Sequence, residues 1–356
     1  MRRRLLLLVA LLLANLVIAA VGMLRADDGG TDKAFTAKVG LVFDLGGRGD
    51  KSFNDSAYRG LERALRELPI HGEYLEPGDG ADRESAIRLL AARGFDLVIG
   101  VGIMFTDDVL LVARDYPDVL FACVDMIVLP DQKLPPNVIA LKFREEEGSY
   151  LVGAAAGLAT QSKTVGFIGG MDMPLIRKFE AGYRAGVQAV CPECKILSAY
   201  AGVTPEAFKD PVKGKELALA QFGRGADVLY HASGSTGLGA FEAARLAPPG
   251  TRRLVIGVDS DQTHEAPGHV LSSMVKRVDV AVFDTLKAVS EQPHRRDIAG
   301  VRVFGLAQDG VDYVADARNA ILIDAKMRDR IEALRRDIVA GKIQVPSQVA
   351  PAEVAP

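Results

Sequence analysis

The sequence predicts an α/β protein of two doubly wound lobes, each a parallel sheet flanked by helices. Three observations carry this. Short, near-continuous apolar runs alternate with helix-period segments along most of the chain. The alternation restarts past residue 144, giving two similar units in series. At 356 residues the chain is too long for one ordinary core and suits two.

In the first unit, strands are predicted at Lys38–Phe43, Asp96–Val101, Val119–Val124 and Val138–Phe143. After the first of these, Ala57, Leu61, Ala64, Leu65 and Leu68 fall on one stripe at helical spacing. The second unit opens on a small-residue helix, Glu145–Gln161, then strand Thr164–Ile168 and the turn Gly169-Gly170. Helix Pro174–Val190, strand Lys195–Tyr200, helix Gly214–Phe222 and strand Asp227–His231 follow. Helix Gly237–Ala247 and strand Arg253–Val258 complete the series. Uninterrupted Val/Leu/Ile runs suit strands buried on both faces. They argue against a membrane β-barrel, whose strands alternate.

Composition excludes little but points consistently. Charged residues make up 25% of the chain and the formal charge is −3, so nucleic acid is not an expected partner. Arg2, Arg3 and Arg4 precede an apolar run from Leu5 to Val21, which reads as a secretory signal over 1–26. The alternative is an uncleaved membrane anchor. Residues 1–26 contain no Cys for lipid attachment, and their removal takes four Arg, moving the formal charge from −3 to −7. A polar linker, 27–36, follows. Of the three cysteines, Cys191 and Cys194 are spaced for a small local disulfide in an oxidising compartment, and Cys123 reads as core.

The most informative stretch is Asp44-Leu-Gly-Gly-Arg-Gly-Asp-Lys-Ser-Phe-Asn54. A buried strand runs into an acid, a Gly-rich turn, and a Ser-Phe-Asn step that opens a helix. Ligand sites of open α/β sheets lie at such strand ends. No Gly-x-Ser-x-Gly elbow, Walker A loop or Gly-x-Gly-x-x-Gly fingerprint occurs, and the five His are scattered. No cofactor, metal site or catalytic group is therefore expected.

This opening resembles the first signature of the basic membrane protein family, the purine-nucleoside-receptor-like solute-binding components of ABC importers. Later segments are similar to the family in order and spacing. They are Arg144-Glu-Glu-Glu-Gly-Ser-Tyr-Leu-Val-Gly153, the strand-helix unit Val165–Tyr183, Asp210-Pro-Val-Lys-Gly-Lys215 and Gly225-Ala-Asp-Val-Leu229. Val258-Asp-Ser-Asp-Gln262 and Leu271-Ser-Ser-Met-Val-Lys-Arg-Val-Asp279 complete the set. The resemblance implies the type I periplasmic-binding fold, with the last part of the chain crossing back between lobes. The expected division is a first lobe at 37–143 with roughly 271–320 returning to it, a second lobe at 144–270 with roughly 321–346, and a tail at 347–356.

Neutral nucleoside recognition calls for carboxylates against ribose hydroxyls, aromatic faces against the base, and amides or acids at its edge. By resemblance, Asp44 and Asp259 are ribose acceptors and Asp125 faces the base edge. Asp44 also suits a turn-stabilising role. Phe53 and Phe208 are expected as stacking rings from opposite lobes. Asn54 caps its helix or reads the base. Gly234 permits close backbone approach, and Lys276 donates to a sugar oxygen or neutralises Asp259. The expected protein is an exported, monomeric, non-enzymatic receptor. It delivers a purine nucleoside to an inner-membrane ABC permease, in the periplasm or at the cell surface. The alternatives are a nucleoside hydrolase or phosphorylase, or a ligand sensor without a transport role.

The basic, apolar start generates the first prediction. Sequencing of native protein should find a mature N-terminus near Asp27. A start at Met1 would instead identify residues 1–26 as a retained anchor.

Overall fold

A computed structural model describes residues 37–78, 82–292 and 297–349. The expected signal segment and linker lie outside the described residues. Twelve strands form two six-stranded sheets among the described residues. The first sheet contains β1 (Ala37–Phe43), β2 (Ile70–Leu75), β3 (Leu97–Val101), β4 (Leu120–Val124) and β5 (Val138–Phe143). The second contains β6 (Thr164–Met171), β7 (Lys195–Gly202), β8 (Val228–Ala232), β9 (Leu254–Asp259) and β10 (Val270–Lys276). Late in the chain, β11 (Gly300–Phe304) joins the first sheet and β12 (Val311–Tyr313) the second.

The strand orders are β11-β5-β4-β3-β1-β2 and β12-β10-β9-β8-β6-β7. The sheets are thus repeats of one pattern, with β1 to β5 matching β6 to β10. All paired strands are parallel except β12, which runs antiparallel to β10. The central strands are buried along their whole length, as their continuous apolar sequence requires.

Nine α-helices cover the sheets among the described residues. In the first half are α1 (Phe53–Glu67), α2 (Arg83–Ala92), α3 (Thr106–Asp115) and α4 (Glu145–Ala159). Then come α5 (Pro174–Val190), α6 (Pro211–Gly223), α7 (Leu238–Arg245), α8 (Val278–Glu291) and α9 (Ala325–Val339). Helices α4, α5 and α9 pack on the second sheet, whereas α8 packs beside α1 on the first. The chain therefore crosses between lobes after β5, after β10 and between β11 and β12.

This corrects the expected return over 271–320. Strand β10 stays in the second sheet, parallel to β9 on one side and paired with β12 on the other, because it is buried along nearly its whole length and needs strands on both sides. The excursion to the first lobe is α8 and β11, and β12 is back in the second sheet well before residue 321.

Helices α4 and α5 approach to backbone contact. A Cβ on Gly153 would lie 2.2 Å from the carbonyl oxygen of Tyr183, and one on Gly182 2.1 Å from that of Glu146. One on Gly186 would lie 2.0 Å from the carbonyl oxygen of Tyr150. The small residues of α4 are thus a packing surface. Cys191 and Cys194 are joined at the end of α5 with Cα atoms 5.3 Å apart, and Cys123 is free and buried.

Gly186→Ala must push the two helices apart. Its unfolding free energy should fall by about 1–3 kcal/mol, the usual cost of overpacking. An unchanged denaturation midpoint would mean the helices slide without penalty.

Candidate functional site

The C-terminal ends of both sheets face one cavity. Its wall includes all eight residues singled out in the sequence: Asp44, Phe53, Asn54, Asp125, Phe208, Gly234, Asp259 and Lys276. The first four come from the first lobe and the others from the second.

The corner after β1 is held by acids. Gly47 N–H closes the turn on the carbonyl of Asp44 at 3.0 Å, with Gly47 at φ 55° and Gly46 at φ 128°. The buried Asp50 carboxylate then accepts the N–H groups of Ser52, Asn54 and Asp55 at 2.9, 2.8 and 3.1 Å. These are free donors of the first turn of α1, which a carboxylate satisfies well. Asp50, not Asn54, therefore caps the helix. The Asn54 side chain is left to the cavity, and its Oδ1 is buried without a hydrogen-bond partner. Asp44 ties Oδ1 to its own turn through Leu45 N–H at 2.7 Å. Its Oδ2 packs on Gly102, where an added Cβ would lie 2.8 Å away.

Asp125 and Asp259 stand at the ends of the matching strands β4 and β9. Both are left-handed, with φ of 63° and 62°. That conformation is costly outside Gly, and Asp tolerates it better than most residues. Each carboxylate reaches the opposite lobe. Asp259 Oδ2 accepts from Ser52 Oγ at 2.6 Å, and Asp125 Oδ2 pairs with Lys276 Nζ at 2.6 Å. Asp125 Oδ1 is buried without a partner.

Lys276 is only 1% exposed. Beyond Asp125, it pairs with Glu145 Oε1 at 3.0 Å. Glu145 in turn pairs with Lys178 at 2.5 Å, and Lys178 also meets Glu146 at 3.3 Å. The rings of Phe143, Phe53 and Phe179 lie 4.9, 5.2 and 5.7 Å from Lys276 Nζ. The expected pairing with Asp259 is thus corrected. Asp259 acts on Lys276 only through space, because Asp125 and Glu145 hold the ammonium.

Phe208 ends a 3₁₀ turn, Pro205–Phe208, and its ring lies where a Cβ on Gly170 would be, 2.4 Å from that position. Gly234, at φ 55°, passes beneath the carbonyl of Phe208, which Ser235 Oγ bonds at 3.0 Å. Gly234 therefore secures the Phe208 loop. Phe53 and Phe208 enter from opposite lobes. Sequence reasoning missed Leu175, Ile176 and Phe179, which give the cavity a third apolar wall from α5. Their spacing on one helical face was a usable signal. It also missed Asp50, Gly102, Ser233 and Ser235. Among the described residues, no cluster of His, Cys, Asp or Glu is arranged to hold a metal.

Burial raises the pKa of Asp44, against the pull of Leu45 N–H and Arg83. Burial also raises Asp125, partly offset by Lys276. It pushes Asp259 up to about 6 despite Lys276 and Ser52. Lys276 moves the other way from its burial: Asp125, Glu145 and Asp259 outweigh the desolvation and hold it charged. One fixed cation thus faces several carboxylates. Such a wall welcomes hydroxyl and amine donors and repels anions.

Over residues 37–349 the chain matches the family described as ABC transporter substrate-binding protein PnrA-like. An uncharacterized lipoprotein of Pyrococcus abyssi is 36% identical, covering 86% of this chain and 75% of its own. The ABC transporter nucleoside-binding protein BmpA of Lactococcus lactis is 31% identical over 98% of this chain and 100% of its own. The crystal structure of a solute-binding protein of an ABC transporter system from Aeropyrum pernix K1 superposes with a TM-score of 0.77 at 29% identity. That match covers 87% of this chain and 94% of the other.

The raised pKa of Asp259 gives a stability prediction with a definite sign. Folding favours its protonated form, so its contribution is full below the ordinary carboxyl value and lost as pH rises through about 6. Wild type should lose stability relative to Asp259→Asn over that window, by on the order of 2–3 kcal/mol. Parallel pH profiles of the two proteins in denaturant would remove Asp259 as the titrating group.

Proposed function

The chain belongs to the PnrA-like family of ABC transporter substrate-binding proteins, and from that premise we propose that it captures a purine nucleoside and delivers it to an ABC permease. The carrying observation is the joint presence, in one interlobe cavity, of Asp44, Asp125 and Asp259 with aromatic rings from both lobes. Ribose hydroxyls donate to the carboxylates, as charge-assisted hydrogen bonds favour. The base lies between apolar faces, with Phe53 supplied by the first lobe and Phe208 by the second. The unpartnered Asn54 Oδ1 and Asp125 Oδ1 accept from the ligand's polar edge. The reaction is binding and release: the lobes close over the solute and open at the permease.

The excess of carboxylates over the single buried ammonium supports a neutral nucleoside over its phosphate esters. The full-length similarity to a nucleoside-binding relative supports the same reading. The lipoprotein relative and the apolar leader support action outside the cytoplasm, in the periplasm or at the cell surface.

Calorimetry with inosine, guanosine, adenosine, ribose and inosine monophosphate on ligand-stripped protein tests the proposal. Nucleosides should bind and the monophosphate should not. Asp44→Ala should weaken nucleoside binding about tenfold to a hundredfold, the worth of a charged hydrogen bond. Phe53→Ala should cost roughly 1–3 kcal/mol of affinity with little change in unliganded melting. Binding of ribose but of no nucleoside would replace this reading with a sugar receptor.

A further inference from the structure

Gln262 lies outside the cavity wall, yet it sits at the seam between lobes with its polar groups engaged and no exposed surface. Its Oε1 accepts the backbone N–H of Val258 at 2.8 Å. Its Nε2 donates across the seam to the carbonyl of Lys51, in the first lobe, at 3.1 Å. One backbone donor and one backbone acceptor therefore fix which end of the amide is which. Ser273 Oγ holds the backbone N–H of Gln262 at 3.0 Å.

The same Oε1 lies 3.1 Å from His231 Nε2. An amide oxygen only accepts, so His231 carries its proton on Nε2. Its Nδ1 is then an acceptor, and Ser233 Oγ faces it at 3.4 Å. Ser233 lines the cavity. The imidazole is fully buried, edge-on to Phe241, in space that only a glycine leaves open: a Cβ on Gly237 would lie 2.0 Å from the ring. Burial pushes His231 down to about 4, so the ring stays neutral near neutral pH. On the other side of the seam, Lys51 has φ 56° and lies between Asp50, which caps α1, and Ser52, which bonds Asp259.

We propose that Gln262 is the positioning residue of lobe closure. A hydrogen-bonded line, Ser233–His231–Gln262–Lys51, joins the cavity wall of the second lobe to the backbone of the first. A ligand that engages Ser233 orders His231, His231 orders the amide, and the amide fastens the seam. This rests on the reading that the cavity captures a solute, but not on which solute.

Gln262→Glu keeps the acceptor and the shape and removes the donor to Lys51. Small-angle scattering of the full chain, without ligand and with saturating inosine, should show a larger radius of gyration for the variant than for wild type. Its inosine affinity should fall about tenfold or more. Combining it with Ser233→Ala should lose no more than the worse single variant, because both cut one line. If a buried glutamate prevents folding, Gln262→Met removes both polar ends at similar volume and should give the same result. Unchanged scattering under both conditions, or additive losses in the double variant, would overturn the proposal. Should wild type bind no inosine, the nucleoside reading fails, and the ligand-free scattering comparison decides the latch alone.

Discussion

A buried ammonium needs anions, and much of this molecule is arranged around that need. Lys276 sits at the end of β10, the last residue but one before the chain crosses to α8. Its partners are Asp125, from the first sheet, and Glu145, the first residue of α4 after the first crossing. The ion group therefore occupies the place where the chain passes between lobes, and it is also cavity wall. Leaving one member of such a buried group unpaired costs about 3–5 kcal/mol. Lobe movement is thus confined to paths that keep Asp125, Glu145 and Lys276 together. The hinge and the polar floor of the cavity are one structure.

The two sheets repeat one strand order, and the repetition explains the site's geometry. Matching strands β4 and β9 end in left-handed aspartates, each of which reaches the opposite lobe. The partners differ: a lysine for Asp125 and a serine for Asp259. One end of the cavity is therefore fixed by ion pairing. The other is closed by hydrogen bonds around Ser52, including Ser260 Oγ to the Ser52 carbonyl at 2.9 Å, with Arg59 donating to Ser260 Oγ at 2.8 Å. A carboxylate at the fixed end is anchored, whereas Asp259 meets only a hydroxyl from a separable surface.

The central strands were legible in the sequence because burial on both faces writes a continuous apolar run, as in Leu97–Val101 and Val228–Ala232. The strands missed were β2, β11 and β12, all at sheet edges, where partial exposure admits His, Glu, Arg and Asp into the run. The placement of β10 was misjudged because chain pattern locates a strand but not its sheet. In the site, strand-end residues such as Asp44 and Asp259 were legible, since topology delivers every strand end to one side. The partner of Lys276 was not, because Glu145 approaches it through three dimensions rather than along the chain. Gln262 was hidden for the same reason: nothing local in the sequence marks an amide whose acceptor is 211 residues away.

The late strands β11 and β12 have a consequence for biogenesis. Synthesis proceeds from the N-terminus, so the first sheet has five of its strands by residue 143 but lacks its edge until residue 304 emerges. The second sheet waits until residue 313. Neither lobe is a finished unit while most of the polypeptide is already made. Contacts of such long sequence separation form slowly. A nascent chain of this topology stays unfinished for nearly the whole of translation.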